Sequence, residues 1–209
     1  MSQATTEVPA TDGPPERPGW RYYLQEKIIV IFFLGVSSGL PFPLVYSTLS
    51  AWLEEAGVER STISTFAWLG FAYSLKFIWA PIVDGYRIPL LCRWLGRRRG
   101  WMLLAQLSIG GALLVMAGID PAENIEAFAL IALAVAFSSA TQDIVIDAYR
   151  IESAEDRLQG VLAAAYQYGY RISLLVSMAG ALYLAEFSSW SATYTAMAGC
   201  MVVGIITTL

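Results

Sequence analysis

The sequence predicts an all-α membrane protein of six transmembrane helices, and three observations carry that prediction. Hydrophobic residues make up 56% of the chain and charged ones 14%, against roughly a quarter charged in an ordinary soluble domain. The apolar residues gather into six runs, each near the roughly 20 residues a helix needs to cross a bilayer with its backbone groups bonded internally. The charges lie between the runs, and the basic ones favour alternate connections.

Residues 1–27 are rich in Pro, Thr and Glu and carry too little apolar surface to order themselves, so a disordered cytoplasmic tail is expected there. The run that begins at Ile28 is too long for the apolar stretch of a cleaved signal peptide and is expected to remain as the first span. A six-helix bundle is expected over 28–209, with spans at about 28–53, 61–83, 100–119, 127–149, 158–185 and 187–209. Of the 13 basic and 17 acidic residues, only Lys76, Asp143, Asp147 and Arg171 fall inside these spans. The tail supplies Arg17, Arg21 and Lys27, the second connection Arg87, Arg93 and Arg97 to Arg99, and the fourth Arg150 and Arg157, whereas the odd connections hold only Arg60. That asymmetry places the tail and the even connections in the cytoplasm. Trp52, Trp79, Trp101 and Trp190 fall near span ends, where interfacial indoles are favoured. Thr207, Thr208 and Leu209 close the chain inside an apolar run with no basic anchor, so the chain is expected to be the first half of a longer protein, or else to pair with a second copy.

Three stretches carry a family signal: LKFIWAPIVDGYRIPLLCRWLGRRRGW, AFSSATQDIVIDAYR and YGYRISLLVS, with SSGLPFPLVYSTLSAWLEEAGV in register before them. Together they resemble the AmpG family of muropeptide permeases, a branch of the major facilitator superfamily related to acetyl-coenzyme A transporters. The similarity runs from about Leu34 to Trp190. The loop departs from the general superfamily pattern, because an insert containing Pro89 separates Asp84 from Arg97, Arg98 and Arg99, and in this it agrees with the AmpG-like variant. The resemblance implies the amino-terminal half of a facilitator fold, built as two three-helix repeats. It further implies a bacterial inner-membrane carrier that imports anhydro-N-acetylmuramyl peptides from periplasm to cytoplasm with proton coupling. Asp84, Arg97 and Arg98 would then latch the two halves in one state, with Asp84 at a helix amino terminus where the dipole favours a negative charge. The arginines have a simpler reading as positive-inside anchors.

An ionisable side chain at membrane depth costs several kcal/mol unless it faces a partner or a wet cavity. Asp143 and Asp147 are four residues apart, hence on one helix face, which Ser139 and Gln142 extend. The chain has no histidine, so a proton carrier working near neutral pH would be a buried carboxylate, and Asp143, the deeper one, is the first candidate with Asp147 second. The competing reading ties Asp147 to Arg150 and Asp143 to Lys76 as an intramembrane ion pair. Arg171, with Gln167, Gln142 and Tyr170, suits a carboxylate-bearing substrate, since guanidinium is a permanently charged forked donor; a pair with an intramembrane Asp competes with this. Tyr166 and Tyr170 are read first as packing residues. In GVSSGLPFP, Pro41 and Pro43 remove backbone donors and free carbonyls near Ser37 and Ser38, as in the broken helices that bind solutes. Alternatively, or in addition, Gly35 and Gly39 form a small-residue packing face.

The sequence holds no Walker loop, dinucleotide fingerprint, metal-spaced Cys or His set, or nucleophile elbow, so no enzyme, cofactor or metal is expected. Glu123, Glu126, Glu152 and Glu155 read as solvated loop charges, and the net charge of -4 argues against nucleic acid. The expected partners are the lipid bilayer, an anionic glycopeptide and a proton. The alternatives are an acyl-coenzyme A or other organic-anion transporter, and, from another class, a non-transporting scaffold or nonfunctional fragment.

Overall fold

The computed structural model describes residues 24–209, so the expected tail lies outside the described residues up to residue 23. Among the described residues every regular element is helical. Helices α1 (Glu26–Gly39), α2 (Pro41–Leu44) and α3 (Ser47–Glu55) follow one another as a first rod. The second rod joins α4 (Arg60–Thr65), a 3₁₀ turn at Phe66–Leu69, α5 (Gly70–Ser74), a second 3₁₀ turn at Lys76–Ile78 and α6 (Ala80–Gly85). Short α7 (Leu91–Leu95) precedes α8 (Arg97–Ala117) and α9 (Ile125–Glu152), the third and fourth rods. The fifth rod is α10 (Asp156–Leu175), a π-helical segment at Val176–Gly180 and α11 (Ala181–Phe187); the sixth is α12 (Trp190–Cys200) with α13 (Val202–Thr208).

Among the described residues, four stretches are long and apolar enough to cross a membrane: Glu26–Glu55, Arg97–Ala117, Ile125–Glu152 and Trp190–Thr208. The other two expected spans are helical but fall short for different reasons. Over 61–83 the helix is cut into pieces, and Pro81, which has no N–H to give, sits in the first turn of α6. Over 158–185 the continuous rod carries Arg171, glutamines and tyrosines that lower its hydropathy.

Local chemistry sets the ends. After α3 the chain reverses at Gly57, whose φ of 79° is open to glycine at little cost. The Gly57 amide then bonds Glu54 at 3.1 Å and the Val58 amide bonds Leu53 at 3.0 Å, satisfying the last carbonyls of the helix. Asn124 caps α9 by accepting from the Ala127 amide at 3.2 Å, and Ser189 caps α12 by accepting from Ala192 at the same distance.

The rods pair in a definite pattern. α1 lies on α10 and α13, α9 on α8 and on the second rod, and α8 on α12. The α1–α10 crossing is set by glycine on both sides: a Cβ at Gly35 would strike the Tyr166 carbonyl, and one at Gly169 the Phe32 carbonyl. Backbones therefore approach directly, as small-residue faces allow. Two apolar clusters result. One gathers Leu44, Trp52, Leu113, Phe128, Tyr194 and their neighbours, and the other Ile31, Leu34, Met102, Val145 and Leu162.

Candidate functional site

Between the two apolar clusters in sequence, the buried side chains of the first, third and fourth rods turn polar: Ser37 and Ser38 on α1, Gln106 on α8, Ser139 and Gln142 on α9. Ser173 on α10 and Thr208 on α13 are buried as well. Buried polar atoms need partners, and most of these find them across helices. Gln142 donates through Nε2 to Ser37 Oγ at 3.1 Å, and Thr208 Oγ1 donates to Gln106 Oε1 at 3.0 Å. Gly204 makes room here, since a Cβ at that position would collide with Ser37. Among the described residues, four buried side-chain atoms have no well-aligned partner: Gln106 Nε2, Gln142 Oε1, Ser139 Oγ and the Tyr73 hydroxyl.

Asp143 joins this layer at its half-buried margin. Ser38 donates its hydroxyl to Asp143 Oδ1 and shares a 2.7 Å hydrogen bond with the Tyr166 hydroxyl. One serine thus ties α1 to α9 and α10. Lys76 is half-buried too, but among the described residues no carboxylate lies within ion-pair distance of it. Lys76 and Asp143 therefore make no salt bridge: Asp143 takes the neutral Ser38 hydroxyl as its donor, and Lys76 acts on it only through its charge at longer range. Asp147 sits 3.8 Å from Arg150 on its own helix, the local tie weighed against a proton role.

The substrate-binding candidates divide. Ser37, Ser38 and Gln142 lie in the buried layer, and Tyr170 is half-buried beside it, its ring 6.1 Å from that of Tyr166 and abutting Gly39. Gln167 and Arg171 lie on the exposed face of α10, turned away from the face that Gly169 and Ser173 press on α1. No carboxylate among the described residues pairs with Arg171, so the structure offers no intramembrane Asp partner for it.

Tyr166, read first as packing, is a hydrogen-bonded member of the site. Gln106 carries no charge, and its one sequence signal is that it is a lone amide in a charge-free span. The helix breaks carry their own compensations. Tyr194 donates to the Leu44 carbonyl at 2.8 Å, just before the backbone departs from helix at Tyr46. Thr48 donates to the Ser177 carbonyl, also at 2.8 Å, within the π-helical segment. Such segments recur at functional sites.

At the end of the bundle where α6, α8 and α9 meet, Arg98 bridges two carboxylates. It pairs with Asp84 and, through Nε and Nη2, with Glu152, the latter at 2.5 Å. Arg97 donates to the Asp84 carbonyl. Two expectations are corrected here. Asp84 lies in the last turn of α6 rather than starting a helix, so its partner is Arg98 and not a helix dipole. Glu152 is an ion-pair partner rather than a loop charge: it closes the last turn of α9, which brings it beside Arg98.

Comparison with known proteins adds the following. The family model described as acetyl-coenzyme A transporter 1 matches residues 23–198. The chain is similar to the anhydromuropeptide permease of Escherichia coli K12, with 37% identity over 190 residues, 90% of this chain and 38% of the relative. It is similar also to an AmpG 4 relative from Rickettsia conorii, with 38% identity over 182 residues, 86% of this chain and 44% of that protein. The chain spans less than half the length of these curated relatives.

Proposed function

This chain belongs to the acetyl-coenzyme A transporter 1 family, and from that premise we propose that it is part of a secondary transporter for anhydromuropeptides, coupled to protons through Asp143. The observation that carries the reading is the Ser38 junction. A carboxylate at membrane depth is held by a neutral serine, beside a tyrosine from a third helix, with no cation within salt-bridge distance of it among the described residues. Such a group can gain and lose a proton, and the change alters what Ser38 and Tyr166 accept or donate. Because those partners sit on α1 and α10, protonation at Asp143 is felt by two helices at once.

The architecture proposed is six spans with the tail and even connections cytoplasmic, in a bacterial inner membrane. Support for two three-helix repeats comes from the pairing of the rods. Exchanging the first three rods with the last three maps first-on-fifth onto fourth-on-second, third-on-fourth onto sixth-on-first, and third-on-sixth onto itself. Alternating access needs an opposing wall, so a second six-helix body, or a second copy, completes the pathway. The Asp84, Arg97, Arg98 and Glu152 cluster is the element that biases one state at the cytoplasmic end.

The test is uptake of labelled anhydromuropeptide into cells or vesicles with and without a proton gradient. Asp143→Asn abolishes gradient-driven uptake while the protein remains in the membrane at normal level; full uptake by that variant removes Asp143 from the mechanism. Acyl-coenzyme A or another organic anion is the second substrate class, favoured by the family description and by the cations Lys76 and Arg171, which make no salt bridge among the described residues. Competition by acetyl-coenzyme A against labelled muropeptide separates the two.

A further inference from the structure

One face of the first rod runs from Ser38 through Phe42 to Tyr46, four residues at a time. Ser38 is the junction already described. The two aromatic residues beyond it behave unlike the rest of their segment. From Leu40 to Val45 every side chain is buried except Phe42, which is 37% exposed. Tyr46 is half-buried. Tyr73, from α5 on the second rod, completes a cluster: its ring centroid is 5.3 Å from Phe42 and 6.0 Å from Tyr46, while Phe42 and Tyr46 are 4.7 Å apart.

The three rings are held firmly. The Tyr46 hydroxyl reaches α5 at Gly70, where a Cβ would lie 2.9 Å from it, so glycine there makes the reach possible. The Tyr73 hydroxyl is buried beside the Ser139 hydroxyl, and the two make no well-aligned hydrogen bond to each other or to any other described residue. A hydroxyl pair without an aligned bond keeps donor and acceptor capacity for a further polar group. Beside it, the exposed Phe42 ring offers an apolar surface. The combination of a flat apolar face and an adjacent unsatisfied hydroxyl matches a sugar ring, which presents C–H groups on its face and hydroxyl or amide groups at its edge.

We propose that Phe42, Tyr46 and Tyr73 form a pyranose-binding platform one helical turn beyond Ser38, and that it recognises the sugar portion of the transported solute. This rests on the reading of the solute as a muropeptide. Phe42 supplies the stacking face, Tyr46 fixes its tilt, and the Tyr73 hydroxyl pairs with an edge group of the sugar. The peptide portion then extends away from the platform, so sugar and peptide are recognised by separate residues.

Isothermal titration of the chain in lipid nanodiscs tests this, with three probes: the anhydromuropeptide, its anhydro-disaccharide without peptide, and the free peptide. Phe42→Ala weakens binding of the first two by about ten-fold, as loss of an aromatic contact and its buried area implies, and leaves the free peptide unchanged. Phe42→Trp restores binding, which separates loss of a ring from loss of fold; helical content by circular dichroism is the same in all variants. Tyr73→Phe weakens the disaccharide while keeping the ring cluster. Equal affinity of wild type and Phe42→Ala for the muropeptide overturns the platform and leaves the muropeptide reading intact. If the folded wild type binds acetyl-coenzyme A but no muropeptide or disaccharide, the solute assignment falls and the platform falls with it.

Discussion

Arg98 uses three guanidinium nitrogens on two carboxylates, Asp84 and Glu152, that belong to different helices. A lysine has one point charge and cannot fork between them. Arg98→Lys is therefore expected to lower stability by about 0.5–1 kcal/mol, the scale of a half-exposed ion pair, and added salt should shrink the difference between the proteins. Thermal unfolding in detergent at low and high salt measures both; an Arg98→Lys protein as stable as wild type at low salt would show the bridge to be idle. Part of this cluster was legible in the sequence, since Asp84 and the arginines stand out as a motif. Glu152 was not, because its partner lies 54 positions away and only the docking of α9 beside α8 brings them together. Asp143 illustrates the complementary limit. Its burial and its helix face follow from sequence spacing, but its partner does not. Lys76 was the natural choice on charge, whereas the structure supplies Ser38, a residue expected at a helix break as a substrate contact.

At the scale of elements, the crossing of α1 and α10 is the most constrained contact in the bundle. Gly35 and Gly169 each face a carbonyl of the other helix, and backbone cannot rotate out of the way as a side chain can. Gly169→Ala and Gly35→Ala should each destabilise the protein by about 1–3 kcal/mol, the range for overpacking. Gly111→Ala, where a Cβ meets open space, should be neutral or slightly stabilising by its better helix propensity. Unfolding midpoints of the three variants check the ranking, and equal midpoints for all three would dissolve the claimed contact. The small-residue reading of Gly35 and Gly39 was available from sequence, because glycines four apart share a face; their partner on α10 was not. The second rod was harder. Its hydropathy reads as one continuous span, yet Pro81 and the small and β-branched residues near Arg60 divide it into α-helical and 3₁₀ pieces.

For the molecule as a whole, the asymmetry of basic residues predicts which face meets which compartment. Ala122 and Leu90 are both exposed, one in the connection before α9 and the other before α7. With Ala122→Cys and Leu90→Cys introduced separately, a membrane-impermeant maleimide should label position 122 in intact cells and position 90 only after permeabilisation. The opposite pattern would invert the proposed orientation and put the Arg98 cluster outside. The all-helical class was readable from composition and run length alone, since lipid leaves a chain few ways to satisfy its backbone. The polar layer between two apolar clusters was only half readable, because sequence shows Ser37, Ser38, Gln142 and Asp143 on their own helices but not the register that stacks them against Gln106 and Thr208.

The direct backbone contact between α1 and α10 leaves no layer of side chains on which the two could slide, so they form a single stiff shaft. Its continuations, α3 and α11, leave the shaft at two joints, Tyr46 and the Val176–Gly180 segment, which the Thr48 to Ser177 bond couples to each other. Any rearrangement of these rods therefore proceeds by bending at that coupled pair rather than by shear along the glycine seam.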